Sequence, residues 1–298
     1  MSPMKIFVAF VVLIGCFCLS AGSLTLAADD ASKKEGLINP FFAMDTGTKD
    51  ANHQTAESQA EMLKELGYAG MGCDIAAMPG MLEAVERSGL KLFAVYVGAS
   101  IEPGKPGYDP RLESVIKSLK GRNTFVWLFI TGGKPSSTEG DARAVEIVGE
   151  IADMAAESGL RMALYPHTGF WLERVEDAVR LAKKVNRNNV GVTFNLCHWL
   201  KVDREENMKP LMKLAMPHLF LVTINGADSG GQDWKQLIQT LNRGSFDIHN
   251  FLKTLKELGY TGPIGLQGYG IGGDAHENLK RSIEAWHKLS ARLAAQGN

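Results

Sequence analysis

Residues 161–168 read RMALYPHT, residues 190–198 VGVTFNLCH, residues 219–228 LFLVTINGAD and residues 263–268 PIGLQG. Each is a short apolar run that ends in polar side chains, and each follows a stretch with helical periodicity. Strands reached through helices run parallel and lie side by side. The four ends therefore gather Tyr165, His167, Asn195, His198, Asn225, Asp228 and Gln267. Alternation within the runs points the same way. Val192, Phe194 and Leu196 oppose Thr193, Asn195 and Cys197. Phe220, Val222 and Ile224 oppose Leu221, Thr223 and Asn225. Met162 and Leu164 oppose Ala163, Tyr165 and His167, and Ile264 and Leu266 oppose Gly265 and Gln267. The bulky face predicts contact with outer helices, and the small or polar face predicts the interior of a barrel.

Upstream, the same alternation predicts strands at 38–44, 69–74, 92–97 and 124–131. Helices are predicted near 54–66, 79–88, 110–120 and 141–158, then near 172–184, 205–214, 248–258 and 275–293. The joints repeat: KELGYAG at 64–70, AESGLRM at 156–162 and KELGYTG at 256–262. Each places a glycine where a helix stops and the chain turns into a strand. Eight strand–helix units predict a single (β/α)8 barrel over residues 37–298, whose site lies at the strands' C-terminal ends. An open doubly wound sheet would show a dinucleotide-type glycine loop early, and none is present.

The chain has 298 residues, 45% hydrophobic and 22% charged, with a net charge of −1. That balance excludes an electrostatic nucleic-acid binder. Residues 1–27 carry Lys5, an apolar run from Ile6 to Leu26 and small residues at Thr25 and Ala27. They read as a secretory signal peptide, followed by a polar leader over 28–36. The mature protein is then expected to be periplasmic or secreted. Two alternatives stay open: a membrane anchor, and lipidation at Cys16 within Leu13–Ile14–Gly15–Cys16. Without lipidation the mature domain needs no membrane. Cys73 and Cys197 are read as buried free thiols.

The motifs LKELGYAGMGCD, MALYPHTGFW, VGVTFNLCHWL, INGAD and GPIGLQ resemble the xylose-isomerase-like barrel superfamily over residues 37–295. That group includes sugar epimerases, sugar isomerases and the endonuclease IV barrels. The resemblance implies a divalent metal held by Glu, Asp, His and Glu at the ends of strands five to eight. Those places fall on Tyr165, Asn195, Asn225 and Gln267, all departures from the pattern, whereas His198 and Asp228 keep it. Neutral amides and a phenol hold a hard cation poorly, so no metal and no other cofactor is expected. A nuclease is excluded on the same ground.

What remains can move protons. His167 and His198 titrate near neutrality, and Tyr165 shares a strand face with His167. These three are the expected catalytic residues. Asn195, Asn225, Asp228 and Gln267 are expected to bind a small carbohydrate. Trp127, on one face with Phe125 and Phe129, would stack on it, and Lys134 would reach the mouth. The run Gly268–Gly273 before Asp274 reads as a lid rather than a phosphate loop. The expected function is an exported sugar isomerase or epimerase that works by proton transfer without the metal. The alternative is a catalytically silent carbohydrate-binding barrel.

Overall fold

The computed structural model describes residues 36–296. The signal peptide, the lipobox at Cys16 and all but the last residue of the leader lie outside them. No helix among the described residues is long and apolar enough to cross a membrane.

Eight parallel strands close in sequence order: β1 Phe41–Met44, β2 Gly70–Asp74, β3 Lys91–Ser100, β4 Phe125–Thr131, β5 Arg161–Leu164, β6 Val190–Asn195, β7 Leu219–Ile224 and β8 Ile264–Leu266. The helices are α1 Ala56–Leu66, α2 Met78–Ser88, α3 Leu112–Ser118, α4 Asp141–Glu157, α5 Val175–Val185, α6 Leu196–Val202, α7 Met208–Ala215, α8 Trp234–Leu237, α9 Ile248–Glu257 and α10 Ala275–Ala295. The repeated joints do what their sequence predicts. Gly67 caps α1 at φ 84° and donates to the carbonyls of Leu63 and Lys64, and Gly89 caps α2 at φ 72°.

Strand parity sorts the core into two layers. Outside the sheet, Met162, Leu164, Val192, Phe194, Val222 and Ile264 pack on the helices. Inside it lies a smaller cluster of Phe42, Met44, Phe93, Ala94, Phe125, Trp127, Ala163, Tyr165 and Leu221. Phe220 departs from the predicted outward set. The register runs Val192 to Leu219 and then Thr193 to Leu221, so Phe220 is an extra, bulged residue. Its ring lies over Gly191, where a Cβ would clash, and reaches Phe125 at 6.2 Å.

Four strands stop earlier than predicted; the eighth ends at Leu266 rather than Gly268, and the other three stops shape the site. The fifth ends at Leu164 rather than Thr168, because Pro166 has no N–H to continue the ladder. The sixth ends at Asn195 rather than His198. The Asn195 side chain accepts the His198 N–H at 3.3 Å and starts α6, which removes Leu196 and Cys197 from the sheet. The seventh ends at Ile224 rather than Asp228. There Gly226 pairs antiparallel with Gln239, so tightly that a Cβ would sit 2.2 Å from the Thr240 carbonyl oxygen. The helix predicted from Glu205 instead begins with a 3-10 turn, Glu205–Asn207, before α7. Cys73 and Cys197 are both buried and free.

Candidate active site

A cavity of about 450 Å³ opens at the C-terminal ends of the strands. Its floor is Trp127 of β4, stacked on Tyr165 at 3.9 Å and 20°, with the indole N–H donating to Thr193 Oγ1 at 2.8 Å. Tyr96 of β3 meets the indole edge-on. Above the floor, Tyr165, His167 and His198 form one cluster. The Tyr165 hydroxyl lies 3.0 Å from His198 Nε2, and the two imidazole centroids are 3.9 Å apart. Phe170 stacks on His167 at 4.0 Å.

The hydrogen bonds assign both tautomers. The Thr168 backbone N–H can only donate, and it points at His198 Nδ1, 3.3 Å away. His198 Nδ1 is therefore an acceptor, the proton sits on Nε2, and Nε2–H donates to the Tyr165 oxygen. Asn195 Nδ2 approaches the same oxygen at 3.5 Å. With donors on its oxygen, Tyr165 turns its own O–H to the cavity. His167 is arranged the other way. Its Nδ1–H donates to the Thr168 carbonyl oxygen at 3.0 Å, which leaves an unprotonated Nε2 with no protein partner among the described residues.

Burial keeps the cluster neutral. It lowers His167 below the usual imidazole range, with the bond to Thr168 opposing. Burial and the neighbouring His167 hold His198 well below 6.5. Burial likewise pushes the Tyr165 phenol well above its ordinary value, so it stays protonated and donates. Cys197 lines the cavity but is no nucleophile. Burial pushes its thiol up to about 12, and it donates to Asn195 Oδ1.

Gln267 also reaches the cavity. Its Oε1 accepts from Thr46 Oγ1 at 3.3 Å, and Nε2 has no protein partner among the described residues. Of the predicted residues, Tyr165, His167, His198, Gln267 and Trp127 line the cavity together, and Asn195, Asn225, Asp228 and Lys134 do not. Asn195 is occupied as the cap of α6. Asn225 donates to the carbonyls of Gly226 and Leu237 at 2.8 and 2.6 Å. Asp228 accepts from Gln239 Nε2 and the Ser245 N–H and so braces the loop after β7. Lys134 is exposed on the loop after β4. Sequence reading missed Thr46, Tyr96, Phe170, Trp234, Ile238 and Tyr269 as lining residues. Tyr269 lies two residues beyond Gln267, and strand parity places Phe129 beside Trp127, but Phe170 stands in a loop and Trp234 opens the four-residue α8, neither with a periodic signal.

A divalent cation in the place that the resemblance implies would need anionic oxygens or imidazoles. The four side chains there are one phenol and three carboxamides. Asn225 turns its N–H groups to carbonyls, and Asn195 Oδ1 is already taken by the His198 N–H and the Cys197 thiol. These residues do not fit such an ion. No group of three or more His, Cys, Asp or Glu among the described residues is placed to hold a metal.

A closed parallel barrel with a polar and aromatic cavity at its strand ends defines a (β/α)8 protein built to receive a small molecule. The chain belongs to the xylose isomerase-like TIM barrel family, whose model matches residues 30–290. A ketose 3-epimerase of Arthrobacter globiformis is 25% identical over 171 residues, which are 55% of this chain and 55% of that enzyme. The chain thus matches about half the length of that curated relative. Among solved structures, the 3-keto-D-glucoside 4-epimerase of E. coli is similar, with a TM-score of 0.67 at 15% identity, over 84% of this chain and 99% of that one. The D-allulose 3-epimerase of Methylomonas sp., solved with D-allulose, has a TM-score of 0.67 at 15% identity, over 85% and 98%.

Proposed function

We propose that this protein is an exported isomerase or epimerase of a sugar or keto-sugar, which moves a proton beside a carbonyl without a metal. The observation that carries the reading is the pairing of an unprotonated His167 Nε2 with a Tyr165 O–H in one cavity. His167 Nε2 takes the proton from the carbon next to the carbonyl. As that C–H bond breaks, negative charge builds on the carbonyl oxygen, and the Tyr165 O–H donates to it. His198 Nε2–H and Asn195 hold the phenol in position. Gln267 Nε2 donates to a substrate hydroxyl. The imidazolium then returns the proton to carbon. Return to the former carbonyl carbon on the same face is isomerisation, with Tyr165 giving its proton to the former carbonyl oxygen and taking the hydroxyl proton of the first carbon. Inversion at the original carbon needs a second proton donor on the opposite face.

Family membership and the ketose 3-epimerase relative support a carbohydrate substrate. The Asn and Gln replacements at the implied metal places support independence from metal. Export rests on the reading of residues 1–27, and N-terminal sequencing of protein secreted by a host cell tests it.

The reaction is tested by incubating chelator-treated protein with ketoses and aldoses in D2O and following the sugar C–H signals by NMR. The expected result is deuterium entering beside the carbonyl at the same rate before and after chelation. Exchange that appears only with added Mn²⁺ or Mg²⁺, together with a stoichiometric bound metal, would overturn the metal-free mechanism. No exchange with any sugar that binds would make this a silent binding barrel.

A further inference from the structure

The cavity is divided. Its polar atoms (Tyr165, His167, Gln267 and Thr46) lie at the strand ends, whereas its rim is aromatic. Trp234, on the loop after β7, is 38% exposed, and Tyr269, on the loop after β8, is 65% exposed. They are two of only four large hydrophobic side chains exposed among the described residues. Exposed aromatic surface costs free energy in water, and its concentration at one opening marks a place where a ligand covers it. Trp234 is also held ready. Asp233 accepts the Gln236 N–H at 3.0 Å and caps the short helix that carries it, and the indole meets His198 edge-on at 5.4 Å. The volume, about 450 Å³, lies within the roughly 300–1,000 Å³ of pockets that enclose drug-sized ligands.

Charge is the second observation. No Asp, Glu, Lys or Arg lines the cavity. The glycine loop after β8 does not offer a phosphate site either. At the start of α10 the Ala275 N–H donates to Asp50 Oδ2 at 2.7 Å and the Glu277 N–H to Asp274 at 2.9 Å, so two carboxylates hold the place of an anion. The crevice that joins this loop to Lys49 has only about 50 Å³, against about 450 Å³ for the cavity. Lys201 lies over the Trp234 ring, with Nζ 5.7 Å from its centroid, and donates to the Gln232 carbonyl.

We propose that the substrate is an uncharged glycoside whose reacting ring keeps a carbonyl, as a reducing-end sugar or a keto-sugar, with that ring on Tyr165, His167 and Gln267 and its second ring, a sugar or an aryl group, against Trp234 and Tyr269. This inference deepens the proposed function and rests on it for the reacting sugar. Free monosaccharides would leave the aromatic rim wet. Sugar phosphates would bring a dianion into a cavity that no Lys or Arg lines.

The test is a binding panel read by tryptophan fluorescence and calorimetry. Glucose, galactose and mannose are each offered free, as the 6-phosphate, as the 4-nitrophenyl glycoside and within a disaccharide. The expected result is that a glycoside or disaccharide binds at least about tenfold tighter than its free hexose, and the 6-phosphate weakest. W234A and Y269A each reduce the glycoside-to-hexose preference about tenfold, and W234F restores most of it. Far-UV circular dichroism confirms that each variant is folded. Preference for the aryl ring alone, across all three sugars and for nitrophenol itself, would overturn the glycoside assignment in favour of an aromatic ligand. Tightest binding of a free hexose or a 6-phosphate, or binding of no panel member, would also overturn it. The two readings fail separately. A reducing disaccharide that binds tightest yet shows no exchange in D2O removes the proton-transfer reading alone. Exchange confined to a free or phosphorylated hexose removes the glycoside alone.

Discussion

Thr168 decides what the two histidines can do. Its N–H turns His198 into an Nε2–H donor and its carbonyl turns His167 into an Nε2 acceptor, so adjacent imidazoles receive opposite tasks. His167→Gln is expected to lower kcat by about 10²–10⁴-fold, the range of a positioned general base. Tyr165→Phe, which removes the O–H but keeps the stacking on Trp127, is expected to cost about 10²-fold or more. The pH profile follows from the pKa directions. The active form has His167 unprotonated, and burial lowers its pKa. Activity should thus hold from neutral pH down and fall only as His167 gains its proton below about 6.5. The raised pKa of Tyr165 removes any alkaline loss near neutrality. An acid limb at or above the ordinary imidazole value would count against His167. At this scale the sequence showed which residue types stand at the strand ends, and five of the nine candidates do meet in the cavity. It did not show the direction of their hydrogen bonds. Asn195 and Asn225 sit where parity places a substrate contact, and Asp228 follows just beyond, but the backbone leaves the sheet there, and their side chains satisfy the turning chain instead.

Those departures recur at the level of the elements. Strand lengths were not legible: even Pro166, a break in the ladder, falls inside the run predicted to Thr168, and the strand stops at Leu164. An inward Asn at a strand's end reads equally as ligand contact or helix cap, and only the course of the next residues separates the two. At the end of β1 the short 3-10 turn Asp45–Gly47 brings a carboxylate into the same situation. Asp45 Oδ2 accepts the Asp74 N–H at the end of β2 at 3.0 Å, while Oδ1 is buried without a partner. Burial, with a smaller contribution from the Asp74 charge, raises Asp45 from 3.8 to about 6. The folded protein therefore holds this proton more tightly than the unfolded chain. The stability it contributes is full below about pH 4 and is lost as pH rises through about 6. Asp45→Asn keeps an acceptor for Asp74 and removes the buried charge. It is expected to stabilise the protein at about pH 8 by up to roughly 3 kcal/mol, at 1.36 kcal/mol per pKa unit, and by almost nothing at about pH 4. Thermal unfolding at the two pH values measures this, and a pH-independent difference would remove the linkage.

For the whole molecule, closure depends on the seam. β8 has three residues, and three register pairs join it to β1. The eight-unit rhythm made a closed barrel legible, but it did not show what secures so short a join. The answer lies at both ends of the described chain. The Leu37 N–H donates to Ser290 of α10 at 2.8 Å, and Asn39 Nδ2 donates to the carbonyls of Tyr260 and Gly262 just before β8. Tyr68 donates through its hydroxyl to the Leu279 carbonyl at 2.8 Å. Trp286 of α10 stacks on Phe41 of β1 at 4.3 Å and 3°. Phe41 faces the helices, while its neighbour Phe42 faces inward and, with Met44, belongs to the inner cluster that contains Trp127 and Tyr165. Loosening the outer contact therefore loosens the layer on which the cavity rests. Trp286→Ala should cost about 3–5 kcal/mol, as buried Trp truncations do, and lower Tm by roughly 10 °C. Because a closed sheet has no strand that can leave alone, near-UV circular dichroism and ligand-dependent fluorescence should be lost in one transition. If binding instead disappears well below the temperature at which the ellipticity changes, the seam is a locally opening unit, and α10 does not couple barrel closure to the cavity.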